Sequence, residues 1–145
     1  LTIMKNLLRL EELAQFLLCA GALMAADVPW WVYLLLLLGP DIGMLGYLVS
    51  PRVGAISYNL LHHKAIAALV LAFAIPGLME VVTLWQVDMG VLRATPPLIA
   101  GLVLYGHASL DRIFGYGLKF GDDFHHTHLG WIGKESPLRR ESAES

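Results

Sequence analysis

The stretch from Val28 to Val91 and the stretch from Pro96 to Leu110 are almost pure hydrocarbon. The few ionisable residues in or beside them stand at selected positions: Asp41, the pair His62 and His63, Lys64, and His107 with Asp111 and Arg112 just beyond. An ionisable side chain at the centre of a bilayer costs about 3 kcal/mol on insertion scales, so a chain that keeps several of them there pairs them or uses them. With 57% hydrophobic and 15% charged residues, the 145-residue chain is too apolar for an ordinary soluble domain. We therefore expect an integral membrane protein. A net charge of -2 and scattered basic residues exclude a field suited to nucleic acid.

Lys5 and Arg9 precede the first apolar run as they do in a signal peptide, but Glu11 and Glu12 interrupt the point where its apolar core should begin. Leu18 also stands before Cys19, where a lipoprotein cleavage site needs a small residue. This segment is read as a retained helix. The lone Cys19 has no internal disulfide partner and is expected to pack as a small hydrophobe.

A spanning helix needs about 20 residues at roughly 1.5 Å each. Four segments meet that length: Leu7 to Ala25, Trp30 to Val49, Ser57 to Met79, and Pro97 to Tyr116. Turn signals separate them at Asp27-Val28-Pro29 and Ser50-Pro51-Arg52-Val53-Gly54, followed by a longer connection from Glu80 to Pro96. Trp30, Trp31 and Trp85 fall where interfacial aromatics are expected. The expected fold is all-α, a polytopic bundle of four transmembrane helices in one domain over residues 1–130, with a polar, flexible tail over 131–145. Four spans put Lys5, Arg9, Arg52, Lys64, Arg112, Lys119, Lys134, Arg139 and Arg140 on one side, against Arg93 alone on the other. The positive-inside rule then makes both termini cytoplasmic and the location a bacterial inner membrane.

This orientation gathers polar groups in one half of the bundle. The purely apolar part of the third span, Ala65 to Met79, is too short to cross alone, which draws Tyr58, Asn59, His62 and His63 into the helix. His107 lies about 15 Å along the fourth span from Pro97, by the helical rise, and Asp41 reaches a similar depth from the second. Pro40 removes a backbone donor and kinks that helix, while Gly43 and Gly46 allow close helix approach. Tyr58 and His62, Asn59 and His63, and His107 and Asp111 are each four apart, so each pair shares a face. Imidazole and carboxylate on neighbouring turns suit zinc, iron or manganese. Interhelical hydrogen bonding explains the same pairs without an ion, and Asp41 is explained minimally by pairing with Arg52, a histidine or Lys64.

In the tail, the run Phe124-His125-His126-Thr127-His128-Leu129-Gly130 could fold back over the cytoplasmic mouth. The adjacent His125 and His126 read as a solvated loop, whereas the residues around His128 suggest a defined turn. Phe114-Gly115-Tyr116-Gly117-Leu118-Lys119 reads as a helix terminator, with Lys119 able to meet an anion.

Several pieces together resemble a known family: Leu8-Arg9-Leu10-Glu11, Pro40 to Tyr47, Pro51-Arg52-Val53-Gly54, Tyr58 to His62, His107 to Lys119, and Thr127-His128-Leu129-Gly130. They look like the bacterial domain-of-unknown-function family numbered 4260, composed of small multi-span membrane proteins. The resemblance covers roughly Leu7 to Gly130 and is most specific over Asp111 to Lys119. It implies a polytopic membrane fold and supplies no activity, substrate or cofactor. The matching positions include Glu11, Asp41, His62, His107, Asp111 and His128, while the repeated histidine clusters of membrane di-iron oxygenases are missing.

The expectation is an intramembrane site facing the cytoplasm, in an enzyme acting on a lipid, isoprenoid or quinone. His62, His107 and His128 with Asp41 or Asp111 would hold a divalent transition metal, Fe, Zn or Mn. Glu11 would bridge or act as base, Tyr58 and Asn59 would orient ligands, Asp111 would join the chemistry, and Arg112 with Lys119 would hold an anionic headgroup. The expected partners are membrane lipids, with a homo-oligomer or larger membrane complex as the setting and no nucleic acid. The rival class is a non-catalytic accessory or scaffold subunit; a proton path through Asp41 is a third reading.

Overall fold

The computed structural model describes residues 2–74 and 94–133. In order along the chain are α1 (Thr2–Ala25), α2 (Trp31–Leu38), a 3-10 segment (Gly39–Leu48), α3 (Pro51–His62), α4 (Lys64–Ala72), α5 (Pro96–Phe114), and a short hairpin of β1 (His126–Thr127) and β2 (Gly130–Trp131). The fold is predominantly helical, as expected. The far end of the third expected span, the Glu80 to Pro96 connection before residue 94, Trp85 and the tail from Lys134 lie outside the described residues.

The second expected span changes character midway. Gly39 and Pro40 follow Leu38, and the proline lacks the N–H that an α-helix would use, so the chain continues as 3-10 helix to Leu48. Three residues per turn place Pro40, Gly43 and Gly46 in one straight stripe. That stripe meets α3. A Cβ on Gly43 would come within 2.8 Å of the Ser57 carbonyl, and one on Gly46 within 2.1 Å of Ser57 Oγ, so only glycine fits. The Ser57 hydroxyl donates to the Gly43 carbonyl at 2.6 Å across this contact.

The third expected span is broken. Ser50 caps α3 by accepting from the Val53 N–H at 3.1 Å, with Pro51 in the first helical position. At its far end His63 turns extended (φ -87°, ψ 112°), and its Nδ1 accepts from the Ala65 N–H to start α4. His62 is therefore the last residue of α3, and Lys64 the first of α4.

The core lies between α1, α2 and α5, where Cys19, Leu23, Val32, Leu36, Leu102 and Val103 are buried together. Cys19 packs as the expected small hydrophobe, against Gly106, where a Cβ would come within 3.0 Å of the cysteine Cβ. Helix α5 ends in a Schellman motif: Gly115 is left-handed (φ 90°), its N–H donates to the Arg112 carbonyl, and the Tyr116 N–H donates to that of Asp111. The chain then turns back along α3, and the β1–β2 hairpin within it is a small element that the sequence pattern did not reveal.

The outer surface is strongly apolar, with Leu18, Leu38, Leu48, Leu69 and Phe73 each more than 60% exposed. Among the described residues, Trp31–Leu48 is the one helical stretch long and apolar enough by itself to cross a bilayer.

Candidate metal centre

Three elements bring four ligand-type side chains to one point. Asp41 stands in the first turn of the 3-10 segment, His62 at the end of α3, and His107 and Asp111 one turn apart on α5. Each offers one atom to a group whose members all lie within 4.8 Å of one another. His62 Nε2 is 3.6 Å from Asp41 Oδ1 and 3.3 Å from Asp111 Oδ2. His107 Nε2 is 3.3 Å from Asp41 Oδ1 and 3.7 Å from Asp111 Oδ1. Both imidazoles are almost wholly buried.

The far side of each ring fixes its tautomer. His62 Nδ1 lies 2.8 Å from the Tyr58 carbonyl, and His107 Nδ1 lies 2.9 Å from the Leu36 carbonyl. A carbonyl only accepts, so each Nδ1 carries the proton, and a neutral ring turns a bare Nε2 lone pair inward. The Nε2 atoms then face carboxylate oxygens, lone pair toward lone pair. His62 Nε2 is buried without a hydrogen-bond partner among the described residues. A metal ion or a shared proton is what such a set of acceptors can take up, and the 3.3 Å contact of His107 Nε2 with Asp41 Oδ1 is within hydrogen-bond range for a proton.

Tyr58 braces the group: its hydroxyl donates to Asp111 Oδ2, and its ring stacks on His62 with centroids 3.7 Å apart and planes at 11°. Asn59 instead holds the returning chain. Its Nδ2 donates to the Lys119 carbonyl at 2.8 Å, and its Oδ1 accepts from the Lys119 N–H at 2.7 Å. This pair of bonds seats Lys119 beside Tyr58. The lysine is 4% exposed, and its Nζ lies 3.9 Å from the centre of the Phe124 ring and 5.0 Å from that of Tyr58. Burial pulls its ammonium below the ordinary lysine range, opposed by the charges of Asp111 and Asp41.

The remaining expected residues stand elsewhere. His128 lies outside the ligand group: it is exposed, and its Nδ1 accepts from the Leu118 N–H at 2.8 Å, because the returning chain uses the ring to close its own turn. Glu11 is also outside; it is exposed and touches Gln15 at 3.5 Å. Arg112 lies 3.5 Å from Glu12 rather than beside Lys119. His125 pairs with Asp123 at 3.0 Å and His126 with Asp122 at 2.7 Å, and the latter bond holds the Asp122 carboxyl below its usual range.

Glu12 was the polar residue of α1 that sequence reasoning missed. It pairs with Lys64 as well as Arg112, and Gln15 accepts from Lys64 Nζ at 2.5 Å and from the Tyr105 hydroxyl at 3.1 Å. The signal was present in the spacing, because Glu12, Phe16, Cys19 and Leu23 follow one buried helical face and Glu11 does not.

An apolar cavity of about 530 Å³ lies between the elements that carry the group. Its walls include Pro40 and Leu61, the chain neighbours of Asp41 and His62, and Val103 and Leu104, one turn from His107. Ligand pockets of this size class accept small organic molecules, and this one is lined by hydrocarbon.

The model of a family described as "Domain of unknown function (DUF4260)" matches residues 5–132. No curated protein and no solved structure matches the chain.

Proposed function

The chain belongs to the DUF4260 family, and we propose that it is a small integral membrane protein in which Asp41, His62, His107 and Asp111 bind one divalent transition metal, serving an enzyme that acts on a lipid-like molecule. The observation that carries this reading is the convergence of two inward Nε2 lone pairs on two carboxylates. Nitrogen and oxygen ligands about 2.0–2.1 Å from a tetrahedral ion stand about 3.3 Å from each other. The four imidazole-to-carboxylate separations, 3.3 to 3.7 Å with Asp111 facing His62 through Oδ2 and His107 through Oδ1, lie near that figure. The two backbone carbonyls that orient the rings are the outer partners metal-binding histidines use. Two imidazoles and two carboxylates suit zinc, iron or manganese.

Plain helix-to-helix hydrogen bonding accounts less well for the same groups, since it leaves His62 Nε2 buried with no hydrogen-bond partner among the described residues. A shared proton is the other way to relieve them, and it would make the cluster part of a proton path.

Support for the membrane setting is physical. Helix α2, with 8 residues, and the 3-10 segment, with 10, rise about 12 and 20 Å. Together they match the roughly 30 Å thickness of a bilayer core. The many exposed leucines would otherwise face water. With four crossings nine of the ten basic residues fall on one side, as expected of a bacterial inner membrane protein with cytoplasmic termini, and lipids are the immediate partners. The apolar cavity, walled in part by the chain neighbours of Asp41 and His62, suits a substrate with a hydrocarbon portion.

Elemental analysis of detergent-purified protein tests the reading. Near-stoichiometric Zn, Fe or Mn is expected in the parent chain, lost in His62→Ala and His107→Ala and retained in His128→Ala. Well-folded parent protein that binds none of these metals when they are supplied would reject the metal and leave the proton.

A further inference from the structure

We infer that Lys119 holds an anion against the metal site, so that the ligand of this centre is an oxyanion, presented by the head of an amphiphile. The inference rests on the metal reading above. Its observation is separate: Lys119 Nζ is buried and has no hydrogen-bond partner among the described residues, although it has three protons to donate. Its neighbours are the faces of Phe124, Tyr58 and, at 5.8 Å, Tyr116. Aromatic rings stabilise a cation electrostatically, but they do not replace the hydrogen bonds that its N–H groups lose on leaving water.

Charge gives the sign of the missing partner. Two ionised carboxylates and two neutral imidazoles balance one divalent cation, and the loaded centre is then neutral. Asp41 and Asp111, which act on Lys119 electrostatically, are the charges so neutralised. The ammonium would remain as a buried, uncompensated charge, a condition that costs several kcal/mol. An oxyanion reaching both the metal and Nζ removes the imbalance and satisfies N–H groups at once. The surroundings select its carrier. Tyr58 links the two groups through its bond to Asp111, and the hydrocarbon-lined cavity, whose walls include Pro40 and Leu61, the chain neighbours of Asp41 and His62, offers room for an alkyl chain. Arg112, engaged with Glu12, does not share this task.

Cobalt(II) provides a test, because its visible absorption changes with its ligands. Purified protein in a neutral detergent is loaded with cobalt, and inorganic phosphate or dodecyl phosphate is titrated into the parent chain, Lys119→Met and Lys119→Arg. Methionine keeps an unbranched apolar stem among the aromatic rings and removes the charge. The expected result is an anion-dependent spectrum in the parent, affinity at least tenfold weaker in Lys119→Met and largely restored in Lys119→Arg, with equal cobalt content throughout. Tighter binding of dodecyl phosphate than of inorganic phosphate supports the amphiphile; equal binding supports the anion site and overturns the assignment to an amphiphile. Unchanged anion affinity in cobalt-loaded Lys119→Met overturns the inference and leaves the metal reading intact. A loss of cobalt from Lys119→Met assigns the lysine to structural support and also overturns the inference. Failure of the parent chain to bind cobalt overturns both.

Discussion

Asp111 and Arg112 are neighbours on α5, yet they belong to polar clusters of opposite character. Arg112 joins Glu12, Lys64, Gln15 and Tyr105, where donors meet acceptors: Glu12 takes both cations, and Gln15 accepts from the lysine and the tyrosine. Asp111 joins Asp41, His62 and His107, where neutral rings with Nδ1–H would place acceptors against acceptors. Both clusters tie helices together in partly or fully buried surroundings. One is complete as it stands, and the other has a place for a cation. A satisfied network carries structure, while a converging set of unsatisfied acceptors carries the expectation of a ligand.

The sharpest way to break this contrast is to neutralise the two neighbours separately. Asp111→Asn is expected to lower metal affinity by a hundredfold or more, whereas Arg112→Gln should leave metal content unchanged; equal metal loss from both would erase the distinction. Thermal unfolding in detergent sharpens the other side. Glu12→Gln removes a carboxylate shared by two cations and should cost about 2 kcal/mol, while Glu11→Gln should stay within about 0.5 kcal/mol. A smaller effect is expected where the returning chain meets the site. Asn59→Ala removes two hydrogen bonds to the Lys119 backbone and should cost about 1–2 kcal/mol, with faster amide exchange at Lys119. Smallest is His128→Ala, which loses one exposed bond to Leu118 and should change stability by less than about 1 kcal/mol with full metal retention.

The same contrast explains what could be read in advance. Asp41, His62, His107 and Asp111 were all legible, because ionisable residues deep in hydrocarbon are conspicuous and helical spacing pairs the last two. Tyr58 was legible for its place one turn before His62. His128 and Glu11 lie outside the ligand group for different reasons. His128 lies on a returning segment whose turn is set by bonds between loop and ring, which carry no periodic signature. Glu11 was preferred to Glu12 by position in a resembling motif, although the apolar face of α1 favours its neighbour. Although α1 begins at Thr2, five residues before the expected Leu7, its end at Ala25 and both limits of α5 to within two residues followed from hydropathy and a glycine stop. The 3-10 course after Pro40 and the break at His63 did not, since composition marks a disturbed helix without stating what replaces it.

The glycine stripe facing α3 has a consequence of the kind a toolmaker would recognise. At Gly43 and Gly46 the 3-10 segment meets α3 and Ser57 with no intervening Cβ, so the gap between these elements is set by backbone atoms and one short hydroxyl rather than by long side chains with rotamers to choose. Asp41 and His62 are mounted on the two halves of that joint. Their separation therefore inherits the tolerance of bond lengths and van der Waals radii. The smallest residue stands where the fit leaves no clearance.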